Sequence, residues 1–436
     1  MGSTVPEDIL LLFFDLVAHP APLPWPDAVY DCERATAPFT LASVCPRWRT
    51  VAISTAGLWN YFGFPDLDRA QETHLPRLRI LLARSGETEV DVVAYWPLTV
   101  MPAITEIVDA IGKIAPRWRH VNISASATYA TAFSEAFRQQ VLRRQWPCLR
   151  SLSLSLPTKI VELPLAPRLT SLYISSSNLE CLDALPVSIP NLTRLSIFSV
   201  RSSITDQTLL AFAQQLTELC ILSSTSALPE QLILLPRLHS LTLAKPSYLE
   251  HIRAPSLHTL TFRINDAIAR DLLVQINPSS AHCISVRHLC IYGPLVEELV
   301  FSLRCFTNVV QLTVNSSSHV RRTWPTVTGF RIYPQFFAAL RFSRSDSMPA
   351  WPRLKRIHLG RLDDSRMDFA RELINFVVFR NVTHESYNTP EDAGALRPDK
   401  IEAVTMGFEG APEWFVSELR RLFPPALCRS SSSQTL

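Results

Sequence analysis

The side chains that most often carry catalysis or metal binding are present in this sequence, but none has the spacing that such sites need. The nine cysteines include no C-x-x-C pair, which is the spacing of many zinc and redox centres. His384 and Glu385 lack the second histidine of a zinc-protease motif, and Asp363 and Asp364 are interpreted as turn residues. The 11 glycines form no G-x-G, P-loop or G-x-S-x-G phrase. The sequence therefore predicts a protein that is not an enzyme and has no cofactor or metal.

A second group of residues suits binding, because basic and aromatic side chains recur at related positions along the chain. We predict that they form a mildly basic surface that binds a target protein: Arg150, Tyr173, Arg194, His239, His258, Arg287, His288, Lys355 and Arg356. Glu218 is the acidic exception. The hypothesis is that the target segment is acidic or phosphorylated. The alternative is that these residues are ordinary solvated side chains.

These positions follow from a phrase, P-x-L-x-x-L-x-L, that recurs with variations from about residue 147 onward. Its leading apolar residue stands at 149, 169, 192, 216, 238, 257, 286, 309 and 354. Successive spacings lie between 19 and 29 residues, apart from one of 45. This range is typical of leucine-rich repeats. Fainter copies run from Trp118 to Ile123 and from Ile401 to Met406.

Each phrase predicts a short strand, because alternate side chains of a strand point to opposite faces. The leucines then form an inward ladder between stacked parallel strands, and the intervening residues face solvent. The intervals predict return helices at Asp206 to Ala213, Glu297 to Cys305 and Phe369 to Val377. The predicted fold class is α/β, an irregular solenoid of parallel strands with helical or extended returns. A plain α/β globule rich in leucine is the alternative.

The N-terminal segment predicts a helix with two apolar sides. Thr4 to Glu7 fits a capping box with Pro6 in the first turn. One apolar stripe comprises Ile9, Leu12, Phe13 and Leu16, and a second comprises Leu10, Phe14 and Val17. A short helix with two apolar sides needs more cover than a small domain supplies, so a protein partner is predicted. A buried helix of a small bundle is the alternative.

A more specific phrase, V-C-P-R-W-R-T-V-A, runs from Val44 to Ala52 and is followed by Leu58 and Trp59. Together with Val5 to Leu10, this arrangement resembles the F-box proteins that mushroom-type fungi carry in large numbers. The resemblance covers residues 4 to 95, and it extends to the repeats behind them only as a class.

The resemblance implies a three-helix F-box that docks on the Skp-type linker of an SCF ubiquitin ligase, and through it on a cullin. The residues implied in linker contact or support are Pro6, Ile9, Phe13, Leu41, Val44, Cys45 and Trp48. By this reading Cys45 is a packing residue and not a nucleophile. The chain departs from the family at Val5, where leucine is usual, and by an insertion at 18–39 beside the expected docking face.

The predicted organisation has four parts. A helical module at 1–62 contains the insertion at 18–39, and it precedes a linker and cap at 63–115, a solenoid at 116–423 and a disordered tail at 424–436. This organisation predicts a non-catalytic, substrate-recognition adaptor of an SCF-type ubiquitin ligase. A scaffold or assembly protein whose helices bind another partner is the alternative.

Composition argues against several other classes. The 42 basic and 39 acidic side chains give a formal charge of +3, and no basic run is long enough to grip a phosphate backbone, so no nucleic-acid partner is predicted. No apolar run approaches the roughly 18 residues of a membrane span, so no membrane partner is predicted. The cysteine pattern fits reduced thiols in the cytosol or the nucleus.

Overall fold

The computed structural model describes residues 5–18, 30–64, 71–96, 104–125, 130–156, 163–176, 185–199, 206–222, 231–244, 246–263, 285–293, 295, 297–314, 332–341, 350–360, 368–386, 398–406 and 412–423. Residues 19–29 of the predicted insertion at 18–39 and the whole predicted tail lie outside these residues. The predicted domain boundaries stay predictions. By its internal contacts the chain divides into two compact units, Met1–Gln215 and Leu216–Leu436.

The helices of the described residues fall before, between and after the strands. They are α1 (Glu7–Ala18), α2 (Cys32–Val44), α3 (Pro46–Ser54), α4 (Gln71–Arg84), α5 (Ile104–Lys113), α6 (Ala130–Gln140), α7 (Leu185–Ser188), α8 (Asp206–Phe212), α9 (Glu297–Ser302), α10 (Pro334–Arg341), α11 (Asp368–Ser386) and α12 (Glu413–Leu422). Short 3-10 helices cover Ala56–Trp59, Ala115–Arg117 and Pro246–His251.

The strands of the first unit are β1 (Tyr61–Phe64), β2 (Val90–Trp96), β3 (Trp118–Ala125), β4 (Ser151–Leu156), β5 (Ser171–Ser176) and β6 (Arg194–Ser199). Those of the second are β7 (Glu218–Ile221), β8 (Ile233–Leu234), β9 (Ser240–Leu243), β10 (Ile252–Arg253), β11 (Thr259–Arg263), β12 (His288–Tyr292), β13 (Gln311–Val314), β14 (Arg356–Leu359) and β15 (Ala403–Met406). The fold is mixed α/β, with an open parallel sheet of 13 strands in chain order, while β8 and β10 form a separate pair.

The repeated phrase forms the strands that the sequence predicts. In each described copy from 149 onward the strand begins two residues after the leading apolar residue, as in Leu149 before β4 and Leu354 before β14. These leading residues are buried, and so are the inward residues that pair across strands, such as Leu152 with Leu172. The fainter copies form β3 and β15. An apolar ladder therefore stabilises the sheet within each unit.

The return helices are also confirmed. α8 and α9 lie within the first two predicted helical intervals, and α11, at 19 residues, contains the third interval and extends beyond it at both ends. The interval of 45 residues between the last two phrases contains α10, whose Phe336, Phe337 and Leu340 are buried. This interval therefore supplies a packed helix of the second unit, while residues 315–331 and 342–349 lie outside the described part.

The sheet of the first unit begins before the copies that the phrase identifies. β1 pairs with β2, and β2 pairs with β3, all in parallel. Gly63 in β1 leaves room for an aromatic ring, since a Cβ there would lie 2.6 Å from the ring of Tyr30. Tyr61 receives a hydrogen bond from the Asp31 N–H at 2.9 Å. Tyr30 and Asp31, which immediately precede α2, thus pack against β1.

A buried carboxylate joins α2 to the sheet of the first unit. Asp91 on β2 accepts two hydrogen bonds from Arg119 on β3, at 2.9 and 2.7 Å, and one from Arg34 on α2 at 2.6 Å. Burial alone would raise the pKa of the Asp91 carboxyl, but the Arg119 hydrogen bonds and both guanidinium charges outweigh it and lower that pKa. Burial also raises the pKa of the neighbouring Tyr61 to about 12. Asp91 is therefore a charged junction between helix and sheet.

In the second unit a buried arginine holds the turn that precedes β14. Trp351 has a φ of 49°, the left-handed region that side chains other than glycine rarely adopt. Arg380 on α11 is fully buried and donates to the carbonyl oxygens of Trp351 and Pro352, each at 2.9 Å. Burial lowers the pKa of Arg380 to about 10. The arginine thus offsets the strain of the turn with two charge-assisted hydrogen bonds.

Candidate partner-binding surfaces

Helix α1 buries one of its two apolar stripes except for Val17, and it exposes the other. Leu10 and Phe14 are buried, because α1 packs on α2, α3 and the 3-10 helix Ala56–Trp59. The opposite stripe stays in solvent. We call these residues the α1 face: Val5, Ile9, Leu12, Phe13 and Leu16, of which Leu12 and Leu16 are 63% and 76% exposed. Exposed contiguous apolar side chains of this kind mark a surface for a protein partner.

The ring of Trp48 packs against two aromatic rings of α1. Its centroid lies 5.3 Å from that of Phe14, in edge-to-face geometry, and 5.7 Å from that of Phe13. Trp48 is half-buried and Leu41 is buried. These two residues therefore hold the helices together.

Cys45 has a structural role at the corner between α2 and α3. It is the N-cap of α3, and its Sγ accepts a hydrogen bond from the Trp48 N–H at 3.5 Å. Pro46 follows in the first turn, where a missing N–H costs no helical hydrogen bond. The Arg49 Nε also donates to the Ala42 carbonyl at 3.0 Å. This geometry agrees with Cys45 as a packing residue.

The structure divides the residues implied in linker binding into two groups. Pro6, Ile9, Phe13 and Val44 are exposed, while Leu41, Cys45 and Trp48 are buried or half-buried. The implied set omits Leu12 and Leu16, the two most exposed residues of the α1 face. Their spacing from Ile9, at i+3 and i+7, is the signal that identifies them.

A shallow groove lies beside the α1 face. It is lined by Asp8, Leu11, Leu12, Asp15, Thr55, Gly57 and Leu58. The two carboxylates stand one on each side of Leu12 along the helix, since Asp8 is four residues before Leu12 and Asp15 is three after it. The sequence predicts no binding role for Asp8 or Asp15. An apolar centre with acidic flanks favours a partner surface that is apolar at its centre and basic at its rim.

The predicted basic surface of the strands proves to be two different rows. One row contains the residues that precede a strand, which are Arg150, His239, His258, Arg287 and Lys355, and the other contains residues on the strand face, which are Tyr173, Arg194, His288 and Arg356. We call the first the edge row and the second the face row. The repeated phrase P-x-L-x-x-L-x-L does not distinguish the two rows, because the positions of both rows lie between its inward apolar residues.

In the first unit the predicted binding residues already have partners. Arg150 pairs with Glu89 at 3.3 Å, and the same carboxylate lies 3.7 Å from Arg168. Tyr173 is only 8% exposed, because the ring of Phe198 packs on it at 4.7 Å between centroids. Arg194 is exposed. The described strand face of this unit therefore offers little unsatisfied charge to a ligand.

In the second unit more of the predicted residues are open to solvent. His239, His258, Arg287, His288 and Arg356 are all exposed. The rings of His239 and His258 are stacked, with centroids 5.8 Å apart and planes at 15°. Lys355 is half-buried and pairs with Glu402 at 3.2 Å. The uncompensated positive charge of the predicted surface thus lies in the second unit.

No model of a known protein family matches the chain, and no curated protein matches it significantly. Among the described residues no cluster of three or more His, Cys, Asp or Glu side chains has the arrangement of a metal site. None of the described helices combines the length and apolar character that a bilayer span requires. The two surfaces above are therefore the features from which a function is inferred.

Proposed function

We propose that the protein is a substrate-recognition adaptor of an SCF-type ubiquitin ligase in the cytosol or nucleus. Helices α1 to α3 would bind the Skp-type linker, which recruits a cullin, and the strands with their edge and face rows would bind the target protein. The single observation that carries this proposal is the α1 face, an apolar stripe that the rest of the described chain leaves in solvent.

The energetics of the α1 face favour a bound partner. Burying a leucine side chain that is otherwise in water is worth about 1.5–3 kcal/mol. Leu12, Leu16 and Ile9 are more than half exposed, and Phe13 is nearly so. Several such anchors clustered on one helix meet the usual pattern of an interface hot spot. The acidic groove beside them would orient the bound partner.

The attachment of the helices to the sheet supports an adaptor role. Arg34 of α2 is bound to Asp91 of β2, and the Arg77 side chain on α4 donates to the Ala35 carbonyl at 2.5 Å. The first bond joins α2 to β2, and the second joins α2 to α4. An adaptor acts by proximity, since it raises the local concentration of the target near the modifying enzyme, and it contributes no catalytic residue.

The test is a binding measurement between the full chain and a purified Skp-type linker. Replacing Leu12 and Leu16 together with glutamine should weaken linker binding about a hundredfold, because two leucine anchors lose their apolar contact. Glutamine avoids the charge repulsion that aspartate would meet from Asp8 and Asp15. Isothermal titration calorimetry gives the affinity, and co-purification of a cullin shows that the complete assembly forms.

The matched control is Val187→Gln on α7, which changes an equally exposed apolar residue, 81% accessible, away from α1. This variant should bind the linker as the wild type does. If the wild-type chain binds no Skp-type linker, the adaptor proposal fails, and the scaffold alternative, in which the α1 face binds another protein, replaces it.

A further inference from the structure

Among the residues that the structure describes, two side chains that carry a full charge at neutral pH are buried, Asp91 in the first unit and Arg380 in the second. The guanidinium groups of Arg34 and Arg119 compensate the charge of the Asp91 carboxylate. Arg380 forms no such ion pair with any described residue. Removing a charge from water is costly unless an opposite charge compensates it. Arg380 is therefore a buried positive charge whose counter-charge the described chain does not supply.

Backbone oxygens satisfy only one nitrogen of the Arg380 guanidinium. Nη2 donates to the carbonyl oxygens of Trp351 and Pro352, each at 2.9 Å. Nε and Nη1 are buried and have no hydrogen-bond partner among the described residues. Every nitrogen of an arginine side chain carries N–H donors, and a buried donor without an acceptor destabilises the folded state. An acceptor beside Nε and Nη1 would therefore stabilise the second unit.

The described side chains nearest to Arg380 are apolar or already bonded. The ring centroid of Phe376 lies 5.8 Å from the guanidinium carbon. The Trp351 indole N–H is a donor, and it binds the Leu303 carbonyl oxygen at 2.9 Å. Neither ring offers an oxygen or a negative charge to Nε and Nη1.

Asp399 compensates the charge of Arg380 only from a distance. Its carboxylate is 39% exposed and lies 4.0 Å from the Lys355 ammonium nitrogen. Burial lowers the pKa of Arg380 to about 10, and the charge of Asp399 offsets only part of this effect. The guanidinium therefore stays protonated at neutral pH, without an anion in contact with it from the described chain.

We propose that the second unit binds a small inorganic anion, chloride, beside Nε and Nη1 of Arg380. The anion accepts the hydrogen bonds that the chain leaves unmade, and it supplies the missing negative charge. A water molecule accepts hydrogen bonds but leaves the charge uncompensated. Because the Arg380 side chain is fully enclosed, with 0% exposure, a peptide carboxylate is too large for the site, whereas a monatomic ion can enter during local opening.

This anion site has a structural role, and it does not depend on the proposed function. Trp351 has a φ of 49°, and its carbonyl oxygen is one of the two acceptors of Nη2. An anion on Nε and Nη1 fixes the guanidinium from its other nitrogens, and it thereby holds the turn that precedes β14. Chloride is thus expected to stabilise the second unit rather than to take part in partner binding.

Thermal unfolding of the full chain tests the site, with sodium gluconate replaced stepwise by sodium chloride at constant ionic strength. Gluconate is too large for an enclosed site, so the comparison separates chloride binding from general screening. An ion that binds only the folded state stabilises it by mass action, and about 100 mM chloride should raise the melting temperature by about 2–4 °C. The line width of the chloride NMR signal should increase in the same samples, because free chloride exchanges with the protein site.

Three substitutions locate the effect. Arg380→Met keeps an apolar chain of similar length but removes the charge, so the melting temperature should no longer depend on chloride. Arg371→Met, at an exposed position of the same helix, is the matched control and should retain the full chloride effect. Asp399→Asn keeps Arg380 and removes the negative charge that repels an anion, so the chloride effect should increase. This last variant keeps the test decisive where Arg380→Met does not fold.

Two kinds of result would overturn the assignment. Equal melting temperatures of the wild type in chloride and gluconate, with no change in line width, show that water alone contacts Nε and Nη1. A chloride effect that persists in Arg380→Met, or that does not increase in Asp399→Asn, places the bound anion away from Arg380.

Discussion

Asp91 joins three elements of the first unit through charged hydrogen bonds. Its carboxylate is buried and receives hydrogen bonds from Arg34 and Arg119, which lie on different elements. A buried carboxylate costs several kcal/mol of desolvation unless charged partners compensate it. Both charged partners are present here, so the hydrogen bonds that join α2, β2 and β3 also compensate the desolvation of the Asp91 carboxylate.

Replacing Asp91 with asparagine should lower the free energy of unfolding by about 3 kcal/mol, because two guanidinium groups lose their counter-charge in a partly buried position. Urea unfolding followed by circular dichroism measures this loss. The control is Glu89→Gln, which removes the partner of the exposed Arg150 and Arg168 and should cost less than about 1 kcal/mol. Equal effects of the two variants would contradict the role of Asp91 as a junction.

The pH dependence of the same pair of proteins gives a second measurement. The folded-state pKa of Asp91 lies below its ordinary value, so its stabilising effect is present above the unfolded-state pKa of about 3.9 and is lost as pH falls through the folded value. The stability difference between the wild type and Asp91→Asn should therefore be constant from pH 5 to 7 and shrink in stronger acid. A difference that grows as pH falls would refute this assignment.

The turn between α10 and β14 is held by α11, a helix that follows it in the chain. Arg380→Ala on α11 should destabilise the second unit by about 3 kcal/mol, because two buried carbonyl oxygens lose their donor and a cavity replaces the side chain. Arg371→Ala, on an exposed position of the same helix, should change stability by less than about 0.5 kcal/mol. Thermal unfolding compares them, and similar melting temperatures would contradict the expected role of Arg380.

The elements of the repeats were predictable because each depends on its own residues. Leu149 and Leu354 identify the starts of β4 and β14, since an inward ladder needs apolar residues at a fixed spacing. The choice between the two sides of α1 was not predictable in the same way. It depends on where Trp48 of α3 lies, and two equally apolar stripes give no local preference.

Which residues of the candidate binding surface are exposed was likewise not predictable from the sequence. The sequence identifies Arg287 and His288 as intervening residues, but it does not state that one precedes β12 and the other begins it. It also gives no sign that Glu89 neutralises Arg150 or that Phe198 covers Tyr173, because these contacts join residues from separate repeats. Pairing between strands therefore decides which predicted residues are open to a ligand.

The N-terminal helices make contacts with residues beyond 62, the predicted end of the helical module. The Arg34 side chain needs Asp91, and the Trp59 ring lies under the guanidinium of Arg84, 4.2 Å from the ring centroid. The bonding partners of residues 30–60 thus include residues beyond 62. A fragment of residues 1–62 would expose these groups without replacement.

We expect a fragment of residues 1–62 to lack cooperative unfolding, while a fragment of residues 1–215, the first compact unit, unfolds in one transition. Nuclear magnetic resonance spectra should show dispersed amide signals only for the longer fragment. Differential scanning calorimetry gives the transitions. A cooperative transition in the shorter fragment would show that the helices form an independent domain.

The order of the strands has a consequence for how the protein folds during its synthesis on the ribosome. Within each unit every strand of the large sheet pairs with the one that precedes it in that sheet, so each new repeat meets a template that has already been synthesised. Contacts of short sequence separation form quickly, because little chain must be ordered to close them. The sheet can thus assemble repeat by repeat from the N-terminus during translation, and α1 to α3 and β1 to β3 assemble first.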